Sequence, residues 1–314
     1  MSSRMEHLTI SFFAVLEEMG QKNLLEWCMR ENLISSRYEC PKCGKNMVMR
    51  ERKGTIDGYE WRCRTKGGEN PHDVCKSIRK GTWFSKSHLS VCDILILTRH
   101  FFGKSMNEFA VKDVRVNKNT VVDWYMFCRE VCMAAILKES EPLGGEGKIV
   151  EIDESMFGKM KYGKGKPVNG QWVFGGVERN SNKCFFRVVP NRTKEELLSV
   201  IKEWVVPGFV IISDCWRAYN CLSHEGYQHL RVNHSLTFKD PETGAHTNSI
   251  EGTWSAIKRS LRNHAAHVEG QFDHYLAEYM WRRRRGHSLD DDVFREFLRA
   301  ITTLYPPMEK DVPS

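Results

Sequence analysis

No stretch of the 314-residue chain approaches the ~20 consecutive apolar residues of a membrane-spanning helix. The longest candidate, Asp93-Ile94-Leu95-Ile96-Leu97, is short and bounded by Asp93 and Arg99. The segment from Met1 to His7 carries no apolar signal core. Internal repeats and low-complexity segments are missing too, which excludes a fibre, a collagen and a disordered tail protein. A disulfide framework is also unexpected. The 11 cysteines are odd in number, and most stand alone in apolar contexts, such as Cys92, Cys128, Cys132, Cys184, Cys215 and Cys221. Such thiols behave as small apolar residues. The expectation is a soluble intracellular protein with no membrane partner.

The composition is globular, with 41% hydrophobic, 28% charged and 11% aromatic residues. At about 150 residues per domain the length suggests two domains. The net charge of +7 is unevenly placed. Between Arg37 and Lys86 there are 13 Lys and Arg against 6 Asp and Glu, an excess equal to that of the whole chain. A clustered basic region points to a polyanion, most often nucleic acid, although a solvated basic surface explains charge alone equally well.

Residues 1–37 form an N-terminal segment with a helical pattern over 8–35, and 38–86 a cysteine-bearing basic module. Residues 87–140 form a helical region. Within it, helices are expected at 89–104, 106–112 and 120–137, the last with Asn119 as its N-cap. The latter two, joined through Val114 to Asn117, make a helix-turn-helix-like pattern that is weak by itself. After a Gly-rich linker, residues 147–287 read as strands at 149–153, 171–178 and 183–189, a helix at 193–205, strands at 209–213 and 227–233, and helices at 247–262 and 270–285. A C-terminal helix and tail occupy 288–314. The order predicts a mixed α/β domain, and it is the order of the ribonuclease-H-like fold.

Only one cysteine group has metal-ligand spacing. Cys40-Pro41-Lys42-Cys43-Gly44 is a C-x2-C turn relaxed by its glycine. Cys63 offers a third thiolate, and His72 and Cys75 compete for the fourth position. A structural Zn²⁺ would staple a module with few core residues.

A second constellation is acidic. Asp153 and Asp214 each end an expected apolar strand, and Glu251 lies on an expected helix. Converging carboxylates repel unless a hard divalent cation joins them. Paired Mg²⁺ ions activate a water or a 3′-hydroxyl for phosphodiester chemistry. Lys258 lies about two helical turns after Glu251 on the same stripe, placed to hold a DNA phosphate. Glu151 shares the face of Asp153, and His246 and Asn248 precede Glu251 by about a turn.

Several blocks resemble the Merlin superfamily of eukaryotic DDE transposases, which is related to a group of bacterial insertion-sequence transposases. They are Glu151-Ile152-Asp153-Glu154-Ser155, Gly170 to Glu178, Ser213-Asp214-Cys215-Trp216-Arg217-Ala218-Tyr219 and Asp240 to Asn248. Ser77 to Phe84 belongs to the same resemblance, which runs from about residue 38 to 285. It implies a cut-and-paste transposase with a ribonuclease-H-like core behind a zinc ribbon. It carries the catalytic acids to Asp153, Asp214 and Glu251, binding Mg²⁺ or Mn²⁺, with Lys258 after them; His246 joins the catalytic candidates by its position a turn before Glu251. It favours His72 over Cys75, giving Cys40, Cys43, Cys63 and His72 as zinc ligands.

The implied partners are the terminal inverted repeats of a transposon and target DNA, held by at least a homodimer, in the nucleus if the source is eukaryotic and otherwise in the cytoplasm or nucleoid. Arg79, Lys80, Arg115, Lys118, Arg129, Lys258 and Arg259 are the DNA-contact candidates. Arg282-Arg283-Arg284-Arg285 reads as a DNA contact, a nuclear address or a solvated run. The competing readings are a domesticated, non-catalytic DNA-binding protein and a nuclease acting on RNA–DNA hybrids.

Overall fold

The computed structural model describes residues 7–67, 70–158, 170–232, 244–261 and 270–311. The chain forms two compact units, Met1–Ala134 with Leu289–Ser314, and Ala135–Ser288. Asp240 to Thr243 of the last resemblance block, and Asn233 of the fifth expected strand, lie outside the described residues.

The first unit opens with α1 (Ile10–Glu18) and α2 (Gln21–Arg30). One helix was expected there. Gly20, at φ +114°, breaks it into two, since that backbone conformation suits glycine alone. Three strands follow: β1 (Val48–Glu51), β2 (Tyr59–Thr65) and β3 (His72–Ser77), an antiparallel sheet in the order β1-β2-β3. Helices α3 (Val91–Phe102), α4 (Asn107–Val114) and α5 (Lys118–Glu139) come next. The α5 cap is Asn117 rather than Asn119. Its Oδ1 accepts the Asn119 N–H at 2.8 Å, so the helix begins one residue earlier than the expected cap. Arg115, in the left-handed region at φ +58°, ends α4.

The second unit is built on β4 (Ile149–Phe157), β5 (Gln171–Glu178), β6 (Cys184–Val189), β7 (Val210–Asp214) and β8 (Gln228–Val232). Their order is β6-β5-β4-β7-β8, antiparallel among the first three and parallel from β4 to β8. This mixed sheet is the arrangement that the ribonuclease-H-like expectation requires. The intervening helices are α6 (Lys194–Trp204), α7 (Asn248–Ser260) and α8 (Phe272–Arg284), with a 3₁₀ helix at Arg217–Glu225 between β7 and β8.

Alternation along β4 sorts its side chains between the two faces. Val150 and Ile152 join Phe174, Phe185, Leu197 and Ile201 on the α6 face. Phe157 joins Val173, Phe186, Ile250, Trp254 and Leu276 on the α7–α8 face. Glu151 and Asp153 fall on that second face by the same alternation, so two acids of β4 point at α7.

A last helix, α9 (Asp291–Leu304), belongs to the first unit and buries Phe294, Phe297, Leu298 and Ile301 at i, i+3, i+4 and i+7. Phe294 packs against Phe102 at 5.0 Å in a tilted pair and edge-on against Phe13 at 6.4 Å between ring centroids. Among the described residues, no helix is long and apolar enough to cross a membrane.

Candidate active site and metal cluster

The parallel ladder of β4 and β7 positions the two aspartates. Its register pairs Ile149 with Val210, Val150 with Ile211 and Glu151 with Ile212. Continued two residues past the last paired position, the same offset brings Asp153 and Asp214 to the same end of these neighbouring strands. Asp214 ends β7 as expected. Asp153 does not end β4, because antiparallel pairing with β5 carries the strand on to Phe157. Asp153 stands where β7 leaves the ladder, which opens one side of it.

Burial is the largest cause that pushes the Asp153 carboxyl up to about 7, followed by the charge of Glu154 and aided by that of Asp214. The indole Nε1–H of Trp254 donates to Asp153 Oδ2 at 3.0 Å. The backbone N–H of Trp216 donates to Asp214 Oδ1 at 2.9 Å. Glu251 lies one turn before Trp254 on α7. It is exposed, and its Oε1 accepts the Thr247 hydroxyl at 2.8 Å. The three carboxylates do not form a closed ligand cluster among the described residues. Lys258 is exposed, with Nζ 5.4 Å from the Phe157 ring centroid. Partial burial lowers its pKa, and the charge of Asp153 opposes that shift.

Glu151 is the buried hinge of the arrangement, with no exposed surface. Its carboxylate accepts the Ile250 N–H at 3.0 Å, the Ser249 hydroxyl at 3.0 Å and Arg179 Nε at 2.5 Å. A negative charge at the start of α7 suits the helix dipole. His246 Nδ1 lies 3.7 Å from the same carboxylate, so His246 is gathered around Glu151. Replacing Glu151 by Ala would strand Arg179 and unpin α7. We expect a loss of ~3–5 kcal/mol, read by denaturant unfolding, as for other broken buried pairs.

Two more residues, Gly175 and Glu154, complete the site. Gly175 pairs with Asp153, and a Cβ there would lie 2.4 Å from Phe186 and 2.9 Å from Trp254. The missing side chain is what lets the Trp254 ring lie over the sheet and reach Asp153. Glu154, on the opposite face, accepts the buried Tyr219 hydroxyl at 2.5 Å. Its other oxygen is buried without a hydrogen-bond partner.

The cysteine module gathers a tighter group. Ligand atoms of Cys40, Cys43, Cys63 and His72 all lie within 4.8 Å of one another. Cys43 and Cys63 sulfurs are 3.7 Å apart, and His72 Nε2 is 3.6 Å from Cys40 Sγ and 3.4 Å from Cys63 Sγ. Tetrahedral Zn²⁺ with ordinary bond lengths sets such edges at about 3.5–3.8 Å. Asn70 O lies 2.8 Å from His72 Nδ1, which leaves Nε2 to face the thiols. Burial pushes the Cys40 thiol up, but the backbone N–H groups of Lys42 and Cys43, together with hydrogen bonds from the Cys43 and Cys63 thiols, outweigh this and hold it at about 7. Strand alternation separates the two candidates for the fourth position. His72 and Cys75 stand three residues apart on β3 and therefore on opposite faces. Cys75 is exposed, outside the cluster, and pairs in register with Arg62.

The DNA-contact candidates divide by exposure. Arg115, Lys118, Lys258 and Arg259 are exposed. Lys80 binds Asp311. Arg79 is buried, forked onto Asp57 and donating to Ser87 O at 3.2 Å. Arg129 is also buried, beside the Phe101 ring. The basic run is spent on internal contacts. Arg282 donates to Glu278 at 2.8 Å, Arg283 to Thr253 at 3.0 Å, Arg284 to the Glu139 carbonyl at 2.5 Å and Arg285 to the Glu139 carboxylate at 2.8 Å.

A family model for the ISXO2-like transposase domain matches residues 142–284, which span β4 to α8 and all three acids. An uncharacterized transposase-like protein of Haemophilus influenzae is 34% identical over 100 residues, covering 32% of this chain and 80% of that protein. The chain belongs to the ISXO2-like transposase family. Among solved structures, the HTLV-2 integrase catalytic core in complex with magnesium aligns at 17% identity and a TM-score of 0.30, over 43% of this chain and 83% of that one. The catalytic core of BIV integrase aligns at 16% identity and a TM-score of 0.32, over 50% and 97%. Within the transposase chain, the matched segment coincides with the second unit, where β4, β7 and α7 carry the acids.

Proposed function

We propose that this transposase is a Merlin-like DDE enzyme that cuts and joins DNA by a cut-and-paste route. Residues 147–287 would carry the chemistry, with Asp153, Asp214 and Glu251 as ligands for Mg²⁺ or Mn²⁺. The observation that supports the reading is the parallel pairing of β4 with β7, whose offset leads to Asp153 and Asp214 at the same end of the two strands, beside a helix that ties Trp254 to Asp153 one turn from Glu251. The donor set fits a hard divalent ion: carboxylate oxygens only, with one aspartate already held up to about 7 by burial and like charge. Bound divalent ions would supply an activated water or 3′-hydroxyl and charge for the leaving oxygen. Glu151 and Trp254 orient the acids, and Lys258 is placed to hold a DNA phosphate beside them.

A structural Zn²⁺ on Cys40, Cys43, Cys63 and His72 would hold the module at 38–86. That module and the α4–α5 pair in 87–140 would read the terminal inverted repeats, with Arg115 and Lys118 exposed around the turn. Two DNA ends call for a homodimer or larger assembly, working where the DNA is, in a nucleus or a nucleoid. The test is strand cleavage and joining on duplexes that end in the element's inverted repeat, with Mg²⁺ supplied. Sequence-specific binding without Mg²⁺-dependent cleavage would mark a domesticated DNA-binding protein and overturn the catalytic reading.

Metal binding at Asp153 has a pH signature. Its folded value lies above the ordinary one, so the metal-free protein loses stability from this group as pH rises through about 4 to 7. Mg²⁺ competes with a proton there. The melting temperature is therefore expected to rise more on adding Mg²⁺ at about pH 8 than at about pH 5.5. An equal rise at both would remove Asp153 from the ligand set.

A further inference from the structure

The segment after α9 runs back across the basic module of its own unit. Tyr305 packs on Trp83 at 5.3 Å between ring centroids, and Met308 lies against Gly81, where a Cβ would collide with its side chain. The Glu39 N–H donates to the Glu309 carbonyl at 2.7 Å, and Arg37 pairs with the Glu309 carboxylate at 2.6 Å. Asp311 then makes the densest contact of the segment. Its Oδ1 accepts the Tyr38 hydroxyl at 2.7 Å and Lys80 Nζ, and its Oδ2 accepts Lys76 Nζ at 2.7 Å.

Three donors from two places in the chain, Tyr38 and the Lys76–Lys80 stretch, thus converge on one carboxylate. The sum of two ammonium groups and one acid leaves a positive excess there. A cavity of about 630 Å³ adjoins it, and its lining is net basic, with Arg52, Lys76, Arg79, Lys80 and Lys86 against Asp57 and Glu60. A carboxylate and a phosphodiester each carry one negative charge and accept charge-assisted hydrogen bonds from the same donors. Exchanging one for the other leaves the local charge unchanged.

We propose that Tyr38, Lys76 and Lys80 form a binding site for a DNA backbone phosphate, and that Asp311 occupies it as a displaceable internal stand-in. This rests on the reading of residues 38–86 as a DNA-binding module and adds its regulation. A tethered competitor acts at an effective concentration on the order of millimolar. It therefore suppresses loose, sequence-independent contact and yields where other contacts hold the duplex in place.

The test measures affinity for a short DNA duplex at low salt, using the full chain. Asp311→Asn is expected to bind about tenfold more tightly than the wild type, and the gain should vanish when Lys76 and Lys80 are also replaced by Ala. Glu309→Gln removes an acid from the same segment without touching the lysines, and should change affinity by less than about twofold. If Asp311→Asn lowers the melting temperature and leaves affinity unchanged, the segment is a structural anchor and the proposal falls. An equal gain in Glu309→Gln would reduce the effect to net charge and also overturn it. Failure of the underlying reading looks different. In that case Lys76→Ala/Lys80→Ala and Cys43→Ser would each leave duplex affinity at the wild-type value.

Discussion

Asp153→Asn, Asp214→Asn and Glu251→Gln are each expected to lower strand cleavage and joining on the order of 10³-fold or more, while the protein stays folded. That factor corresponds to about 4 kcal/mol of transition-state stabilisation. The variants keep side-chain shape and remove one negative charge from the pocket. For Asp153 the charge is already unwelcome in the metal-free protein, because burial, Glu154 and Asp214 all oppose it. Asp153→Asn should therefore melt at or above the wild-type temperature without metal, and lose the Mg²⁺-dependent rise. Loss of activity with stability kept or raised is the pattern of a site that holds strain for function. Glu151→Ala provides the contrast. It should lose stability first and activity as a consequence, because its carboxylate pins the start of α7. If all three acid variants cleave and join at the wild-type rate, the catalytic assignment fails.

Much of the second unit was legible because its signals are local. The strands at 171–178 and 184–189 are short, largely apolar runs set off by a turn, and α6 and α7 carry apolar stripes at helical period. The spacing between Asp153 and Asp214 was visible as well, but its meaning was not. It equals the register offset of β4 against β7, and that offset becomes apparent only once the strands are known to be parallel neighbours. The role of Trp254 was hidden for a related reason. Its indole reaches Asp153 only because Gly175, on a third element, has no side chain.

Charge misled where pairing is non-local. Arg79 reads as a basic surface residue until Asp57, 22 positions away, is found against it inside the fold. Arg282 to Arg285 read as a DNA contact, a nuclear address or a solvated run, yet Glu139 lies 146 positions from the last of them and takes two of the four. Sequence records the charge of a residue, but its partner is fixed by topology. In the cysteine module the missing step was the strand. Once His72 to Ser77 is β3, alternation alone assigns His72 and Cys75 to different faces.

That alternation makes the group of three cysteines and His72 the most sharply testable part of the first unit, as a proposed zinc site. Cys63→Ser, or treatment with a strong chelator, is expected to unfold the segment 38–84, while Cys75→Ser leaves it intact. The magnitude follows from how little else holds the segment. Its buried apolar side chains are few, chiefly Tyr38, Met47, Trp61, Ile78, Trp83 and Phe84, and β1 spans only four residues. Against this, structural Zn²⁺ supplies ~10–16 kcal/mol in zinc-finger peptides, more than the whole stability of many domains. The unfolding should appear as new proteolytic cuts between residues 38 and 84, and DNA affinity should fall with it. Cobalt substitution supplies the geometric check, with a spectrum of three thiolates and one imidazole in the wild type and in Cys75→Ser, and its loss in Cys63→Ser. A four-thiolate spectrum that needs Cys75 would require β3 to turn its other face to Cys40 and Cys43. It would then displace Arg62 from its pairing with Asp73, a bidentate contact at 2.8 and 2.6 Å that fixes the present register.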